Sequence, residues 1–200
     1  MKITQHNKTA IITSCFILFN LMYLASAHLN FGNIRLLPVY PFEENLPIAS
    51  LFVWPYLLMQ SFSYAMIKRV EDTTLLKRWI FSTISFSVFC FVIFQLFPVT
   101  THPFSTIAMM GGSPSNQILH NLKIVSTTLN SFPALFVGIS FLTSFIMFNK
   151  DKLKGVLSFI ITLGFCYAGL KIKFLYFSAI VASLVLATLI HQTSKLITKN

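Results

Sequence analysis

Long apolar runs alternate with short polar stretches along the whole chain, and this pattern predicts the architecture. A helix needs roughly 17–25 mostly apolar residues to cross the hydrocarbon core of a bilayer. Several runs come near this length, and charged residues, proline or glycine separate them. The pattern predicts an all-helical membrane bundle with six spans, over residues 11–27, 47–67, 79–97, 131–149, 155–170 and 174–191.

The run over residues 130–149 is the one around which we expect the others to pack. A polar pair, Asn130 and Ser131, precedes it. Pro133 falls in the predicted first turn, where its missing N–H has no helical partner to lose. We expect function at this polar entrance.

The stretches between the runs also carry signals. Residues 28–46 contain prolines and the pair Glu43-Glu44, and they predict a loop. Residues 117–129 have apolar positions at helical spacing, which predicts an amphipathic helix at the membrane surface. Pro55 inside the second run predicts a helix kink, and Trp79 at the start of the third predicts an interfacial anchor.

Composition supports a single membrane domain over residues 1–200. The chain is 55% hydrophobic and 10% charged, with a mean hydropathy of +0.74, which is far from a soluble average. The net charge of +10 does not indicate nucleic-acid binding, because the basic residues fall in small groups between apolar runs. Cys15, Cys90 and Cys166 lie inside runs without CxxC spacing, so we expect buried thiols and neither a metal nor another cofactor.

Charge also predicts an orientation. Eleven of the 15 lysines and arginines fall in the tails and loops on one side of the predicted bundle. The loops on the other side contain only four: Arg35, Lys123, Lys171 and Lys173. By the positive-inside rule both termini are cytoplasmic, and the loop containing His102 and His120 faces outward. The small chain without a long soluble domain favours a bacterial inner membrane.

The first run has two interpretations. Lys2 and Lys8 precede it, and the small residues Ala25-Ser26-Ala27 end it, as in a cleaved signal peptide. Asn20 interrupts the apolar stretch, which favours a retained helix. Either choice leaves the later spans unchanged.

Several segments resemble a known family. The sequence SFPALFV at 131–137 is similar to the S-F-P-S-L-H-V segment of the type 2 phosphatidic acid phosphatase superfamily, in the branch nearest inositol phosphorylceramide and sphingomyelin synthases. LFVWPY at 51–56, FPV at 97–99 and the stretch 174–187 resemble further segments of that branch, in the same order. The resemblance covers roughly residues 35–190 in the number and order of spans.

The resemblance implies a six-helix bundle in lipid metabolism, with two catalytic histidines and an aspartate at an extracytoplasmic site. This chain has apolar side chains at the matching positions, and an expected arginine is also missing; the residues found there are Ala134, Phe136, Ala168, Gly169, Leu175 and Ala179. A phenylalanine can neither attack phosphorus nor accept a proton. The resemblance therefore implies a lipid-phosphate phosphatase or phospho-headgroup transferase relative that is a pseudoenzyme, or one whose chemistry has moved to other residues.

The predicted role is binding of a phosphorylated lipid by outward-facing polar and basic residues. The candidates are Arg35, His102, His120, Lys123, Asn130, Ser131, Lys171 and Lys173. Solvated loop histidines and lysines at lipid headgroups are the ordinary alternative for each. A second hypothesis is a non-enzymatic subunit or scaffold that contacts a membrane protein through a Gly164/Ala168 face or the amphipathic helix. A small lipid or solute transporter is a third, which the lack of an ionisable residue at mid-span disfavours.

Overall fold

The computed structural model describes residues 5–26, 33–100, 112–125 and 131–197. These ranges are mostly helical. In them, six helices of at least 16 residues form the bundle: α1 (Gln5–Ser26), α3 (Val53–Lys68), α4 (Thr73–Leu96), α6 (Leu135–Lys150), α7 (Lys152–Lys171) and α8 (Phe177–Ile197). Shorter elements are α2 (Pro41–Glu44), a 3-10 turn (Ser50–Phe52) and α5 (Pro114–Val125). Two short strands, β1 (Arg35–Leu36) and β2 (Val99–Thr100), pair in parallel.

Within the described ranges, four helices are long and apolar enough to cross a membrane: Asn7–Ser26 within α1, and α4, α7 and α8. Helix α6 is apolar but has only 16 residues, about 24 Å of helix at 1.5 Å per residue. Helix α3 also has 16 residues and continues directly from the 3-10 turn. The predicted all-helical membrane architecture is therefore confirmed in its class.

Helix α6 lies at the centre of the bundle, as the sequence predicted. Every residue from Val137 to Ser144 is buried, and α3, α4, α7 and α8 all pack against it. Its hydroxyl groups bond to three neighbouring helices. Hydrogen bonds join Ser140 to Ser63 of α3 (2.9 Å), Thr143 to Trp79 of α4 (3.0 Å) and Ser144 to Ser158 of α7 (2.9 Å). Small hydroxyl residues let helices approach closely while each polar group keeps a partner.

The long helices alternate in direction, so the bundle has two distinct ends. At the basic end, the Lys8 ammonium donates to the Lys68 carbonyl (2.7 Å), and Asn149 contacts His191 (3.3 Å). At the opposite, loop end, the Ala49 N–H donates to the Lys171 carbonyl (3.1 Å). The basic end gathers the lysines and arginines that the sequence assigned to one side: Lys8, Lys68, Arg69, Lys77, Arg78, Lys150, Lys152, Lys154 and Lys195.

Two predictions about aromatic and proline residues are wrong. Pro55 does not kink a helix, because α3 begins at Val53 and Pro55 lies in its first turn, where the missing N–H is harmless. Trp79 is not an interfacial anchor. It is fully buried, because α4 begins six residues earlier, and its indole Nε1–H donates to Thr143.

Element boundaries differ in three places. Pro133 precedes α6 rather than lying in its first turn, and the peptide bond before it is cis. The amphipathic helix is present as α5, but it begins at Pro114 and is described to Val125. The predicted loop at 28–46 contains β1 and α2; its residues 28–32 lie outside the described residues.

Gly138 and Gly164 differ in the space around them. A Cβ on Gly138, in the first turn of α6, would lie 1.9 Å from Cζ of Phe86 on α4. A Cβ on Gly164 of α7 would meet nothing within 4 Å, whereas Ala168 is fully buried. The predicted Gly164/Ala168 face is therefore wrong as a joint contact surface, because only Gly164 is open. Cys15, Cys90 and Cys166 are buried free thiols, as predicted.

Candidate functional site

A folded segment, residues 33–48, covers part of the loop end. Strand β1 attaches it to the residues that follow α4, and Leu37 is buried in the main core. Further along, the ring centroids of Tyr40 and Phe42 lie 6.0 and 5.4 Å from that of Phe177, the first residue of α8. The segment thus connects the end of α4 to the start of α8.

We call this segment, residues 33–48, the cap, and Glu43 is its central polar residue. Its side chain is 3% exposed, and its carboxylate accepts hydrogen bonds from the backbone N–H groups of Tyr40 (2.9 Å) and Phe177 (2.6 Å). The first bond closes the N-terminus of α2, and the second satisfies a free N–H at the N-terminus of α8, where the helix dipole favours negative charge. One carboxylate therefore fixes two helix starts.

Lys173 is held in the same cluster. The residue has a φ of 57°, a left-handed conformation that turns the chain sharply between α7 and α8. Its side chain is buried, and its ammonium group donates to the backbone carbonyl of Glu43. Burial lowers the pKa of Lys173 below its ordinary value of 10.5, and the nearby Glu43 carboxylate partly opposes that shift. Lys173 therefore has a structural role in joining the cap to the bundle.

A partly open cavity of about 140 Å³ lies beside this cluster. Glu43 and Lys173 are its ionisable wall residues. The remaining walls are aromatic or aliphatic: Phe42, Leu46, Tyr167, Leu170, Leu175 and Tyr176. Because the walls are apolar and include a carboxylate, the cavity suits an apolar group better than a phosphate.

Among the predicted cations whose side chains the structure describes, Arg35 and Lys171 lie at the surface of the loop end. The Arg35 side chain is exposed, and its guanidinium carbon lies 5.6 Å from the centroid of Phe97. The Lys171 side chain is half-buried, and its ammonium lies 5.7 Å from the centroid of Tyr167. Both distances fit cation–π contacts, which hold the charge beside an aromatic ring.

The other predicted site residues are placed less fully. His120 is exposed on α5, and Ser131 is half-buried before α6. Lys123 lies in α5, but its side chain is outside the described residues, as are His102 and Asn130 entirely. Helix α5 rests on the start of α3, where Leu119 is fully buried and the Trp54 indole donates to Ser115 (3.1 Å).

The positions that the resemblance assigns to catalytic residues are packed. The Ser183 hydroxyl lies between the backbone carbonyls of Ala134 (3.1 Å) and Ala179 (2.7 Å), which brings the starts of α6 and α8 together. Leu175 packs on Gly169, and the Phe136 ring lies 5.0 Å from that of Tyr23. These positions therefore offer neither a nucleophile nor a general acid.

Sequence reasoning missed Glu43, which it assigned only to a polar loop. The available signal was weak, because the capping box here begins with Tyr40 rather than serine or threonine, and the bond to Phe177 spans a sequence separation of 134 residues. Among the described residues, no group of three or more His, Cys, Asp or Glu side chains is placed to hold a metal ion.

The helices, their apolar surfaces and the polar ends define a helical integral membrane protein. Compared with known proteins, the chain matches no protein-family model, no curated protein and no solved structure. The resemblance to the type 2 phosphatidic acid phosphatase superfamily therefore stays a prediction.

Proposed function

We propose that this protein binds a phosphorylated lipid at the extracytoplasmic surface of a bacterial inner membrane and does not turn it over. In this proposal all six long helices are spans and both termini are cytoplasmic. The protein would then be a non-catalytic relative of the lipid-phosphate phosphatases and phospho-headgroup transferases that its sequence resembles.

The span assignment is supported by the alternation of helix directions. Helix α6 is enclosed by protein, so its length need not match the hydrocarbon thickness that lipid-facing helices must cover. The 3-10 turn lengthens the α3 segment to residues 50–68. The excess of lysine and arginine at the basic end favours a cytoplasmic location for that end.

The observation that carries lipid binding is the placement of Arg35 on Phe97 and Lys171 on Tyr167 at the loop end. Aromatic rings and basic side chains at helix ends lie at headgroup depth in a bilayer. Arginine and lysine are the usual partners of phosphate oxygens. In this proposal the two cations bind the lipid phosphate from the rim, while Lys173 supports the cap from within.

The proposal that the lipid is not turned over rests on the side chains that phosphoryl transfer requires. Attack on phosphorus needs a nucleophile, and departure of the alcohol needs a proton donor. Phe136, Leu175 and Ala179 supply neither at the positions where the resemblance places them.

Binding is tested with the purified chain in detergent and a fluorescent phosphatidic acid, with the matching diacylglycerol as the uncharged comparison. We expect phosphatidic acid to bind more tightly, and Arg35→Gln and Lys171→Gln each to weaken its binding by about 5-fold, from about 1 kcal/mol per basic residue. The matched control is Lys152→Gln, an exposed lysine at the basic end, which should leave affinity unchanged.

Two results would contradict the proposal. Equal affinity for phosphatidic acid and diacylglycerol would show that the protein does not recognise the phosphate group. Phosphate release by the wild type that His120→Ala abolishes would show that the chemistry has relocated to α5, and the protein would be an active enzyme.

A non-enzymatic subunit of a membrane assembly is the second candidate, and the exposure of α1 favours it. Only 22% of its candidate span is buried in the protein, compared with 44% for α4. A helix with so much apolar surface either faces lipid or has a protein partner.

A further inference from the structure

An open groove between α1 and α3 carries polar side chains at membrane depth. Its volume is about 490 Å³. Its walls combine apolar and polar residues: Thr13, Phe16, Ile17, Asn20, Leu21, Gln60, Ser61 and Tyr64. Gln60 is at the middle of the segment 50–68, so the groove opens toward the hydrocarbon rather than toward water in the orientation proposed above.

The amide pair in this groove is incompletely hydrogen-bonded. The Asn20 Nδ2 donates to the Phe16 carbonyl (2.8 Å) and to Oε1 of Gln60 (3.2 Å). Within the described part of the chain, Oδ1 of Asn20 and Nε2 of Gln60 have no hydrogen-bond partner. If the oxygen and nitrogen of both amides were exchanged, one acceptor and one donor of the pair would still have no hydrogen-bond partner. An unsatisfied amide in hydrocarbon is costly, and a lipid chain cannot satisfy it.

We propose that the α1/α3 groove binds α1 of a second copy of this chain, forming a two-fold dimer about an axis normal to the membrane. Such an axis brings residues of equal depth together, so Asn20 and Gln60 of one copy face the same residues of the other. The free acceptor of each copy then meets the free donor of its partner, and the two hydrogen bonds are equivalent by symmetry. The amide pair is therefore self-complementary.

The shape of the exposed surface agrees with this arrangement. Ile17 and Leu21 of α1 are 55% and 57% exposed and line the groove. In the dimer the two α1 helices touch along this apolar strip, and each lies between α1 and α3 of the other copy. The contact buries apolar surface as well as the amides, in line with the close packing of membrane helices.

The association is tested by fluorescence energy transfer between two labelled populations of the full chain, reconstituted together in phosphatidylcholine vesicles. We expect energy transfer for the wild type. Asn20→Leu and Gln60→Leu should each raise the dissociation constant about 3- to 20-fold, because each removes one to two interhelical hydrogen bonds. The control is Thr188→Val on α8, an exposed position on a helix whose main neighbours are α4 and α6. It should leave the dissociation constant unchanged.

A second readout does not depend on removing the amides. Leu21→Cys should form an oxidant-driven disulfide between two copies, because equal positions meet across the axis, and the native cysteines are buried. Val185→Cys, 53% exposed on α8, should not. Leu21→Trp should reduce energy transfer by filling the groove while both amides remain.

Wild-type chains that show no energy transfer would overturn the proposal, as would a Leu21→Cys chain that stays monomeric. Dimers that Asn20→Leu and Gln60→Leu leave unchanged would overturn the role of the amide pair. The inference uses the proposed membrane orientation but not lipid binding. Loss of phosphatidic acid binding with intact dimers would therefore reject the proposed function alone.

Discussion

Replacing Gly138 with alanine tests the contact between α4 and α6. The added methyl carbon would lie 1.9 Å from Cζ and 2.3 Å from Cε1 of Phe86. Phe86 is fully buried, so its ring cannot turn into open space, and the neighbouring helices must shift. Overpacking of this kind costs about 1–3 kcal/mol. We expect Gly138→Ala to lower the free energy of unfolding by that amount.

The assay is unfolding in mixed micelles with increasing sodium dodecyl sulfate, followed by helix circular dichroism. The matched control is Gly164→Ala, because a Cβ there meets nothing within 4 Å. This control should be neutral or stabilise by up to about 1 kcal/mol through helix propensity. A further variant, Gly138→Ala with Phe86→Leu, should recover part of the loss by removing ring atoms. If Gly138→Ala proves as stable as the wild type, α4 does not pack on α6 through Phe86 and Gly138.

Two further variants probe the hydroxyl network and the cap. Ser144→Ala removes hydrogen bonds to Ser158 (2.9 Å) and Thr162 (3.2 Å) and should lower the free energy of unfolding by about 0.6–1.7 kcal/mol in the same assay. The control, Thr193→Ala at an exposed position, should lower it by less. Equal losses for the two variants would contradict the hydroxyl network. The free energy of unfolding should rise with pH between the lowered pKa of Lys173 in the folded chain and its ordinary pKa of 10.5. In that pH range the unfolded chain binds more protons than the folded chain. Wild type should therefore gain stability relative to Lys173→Met from neutral pH to pH 10.5, and parallel pH profiles would refute the burial of its charge.

The hydrophobic pattern was sufficient to predict the helices and the central position of α6. A helix that is apolar on all sides is buried, and the serines and threonine of α6 are small enough to remain in such a helix. The pattern could not place Trp79, because a tryptophan near the start of a run fits both an interfacial anchor and a buried donor. Its partner Thr143 lies 64 positions away in sequence.

The candidate site was harder to predict. Charge alone grouped Arg35, Lys171 and Lys173, yet the structure separates their roles, since Lys173 folds inward onto Glu43 while the other two lie on aromatic rings. That difference depends on the left-handed turn at Lys173, which neither hydropathy nor residue spacing reveals. The amide pair of Asn20 and Gln60 was visible in the sequence only as two polar residues in spans.

The central position of α6 has a consequence for biosynthesis. Two of its neighbours, α3 and α4, leave the ribosome before it, and the other two, α7 and α8, leave after it. If α6 enters the membrane as a span, as proposed above, the hydroxyl of Ser144 has no side-chain partner at first, because Ser158 and Thr162 belong to α7, which follows α6 in the chain. The bundle is therefore complete only after α7 and α8 have joined it, and a chain truncated before α7 would leave the Ser144 hydroxyl without its side-chain partners, whereas Ser140 would keep Ser63 of α3.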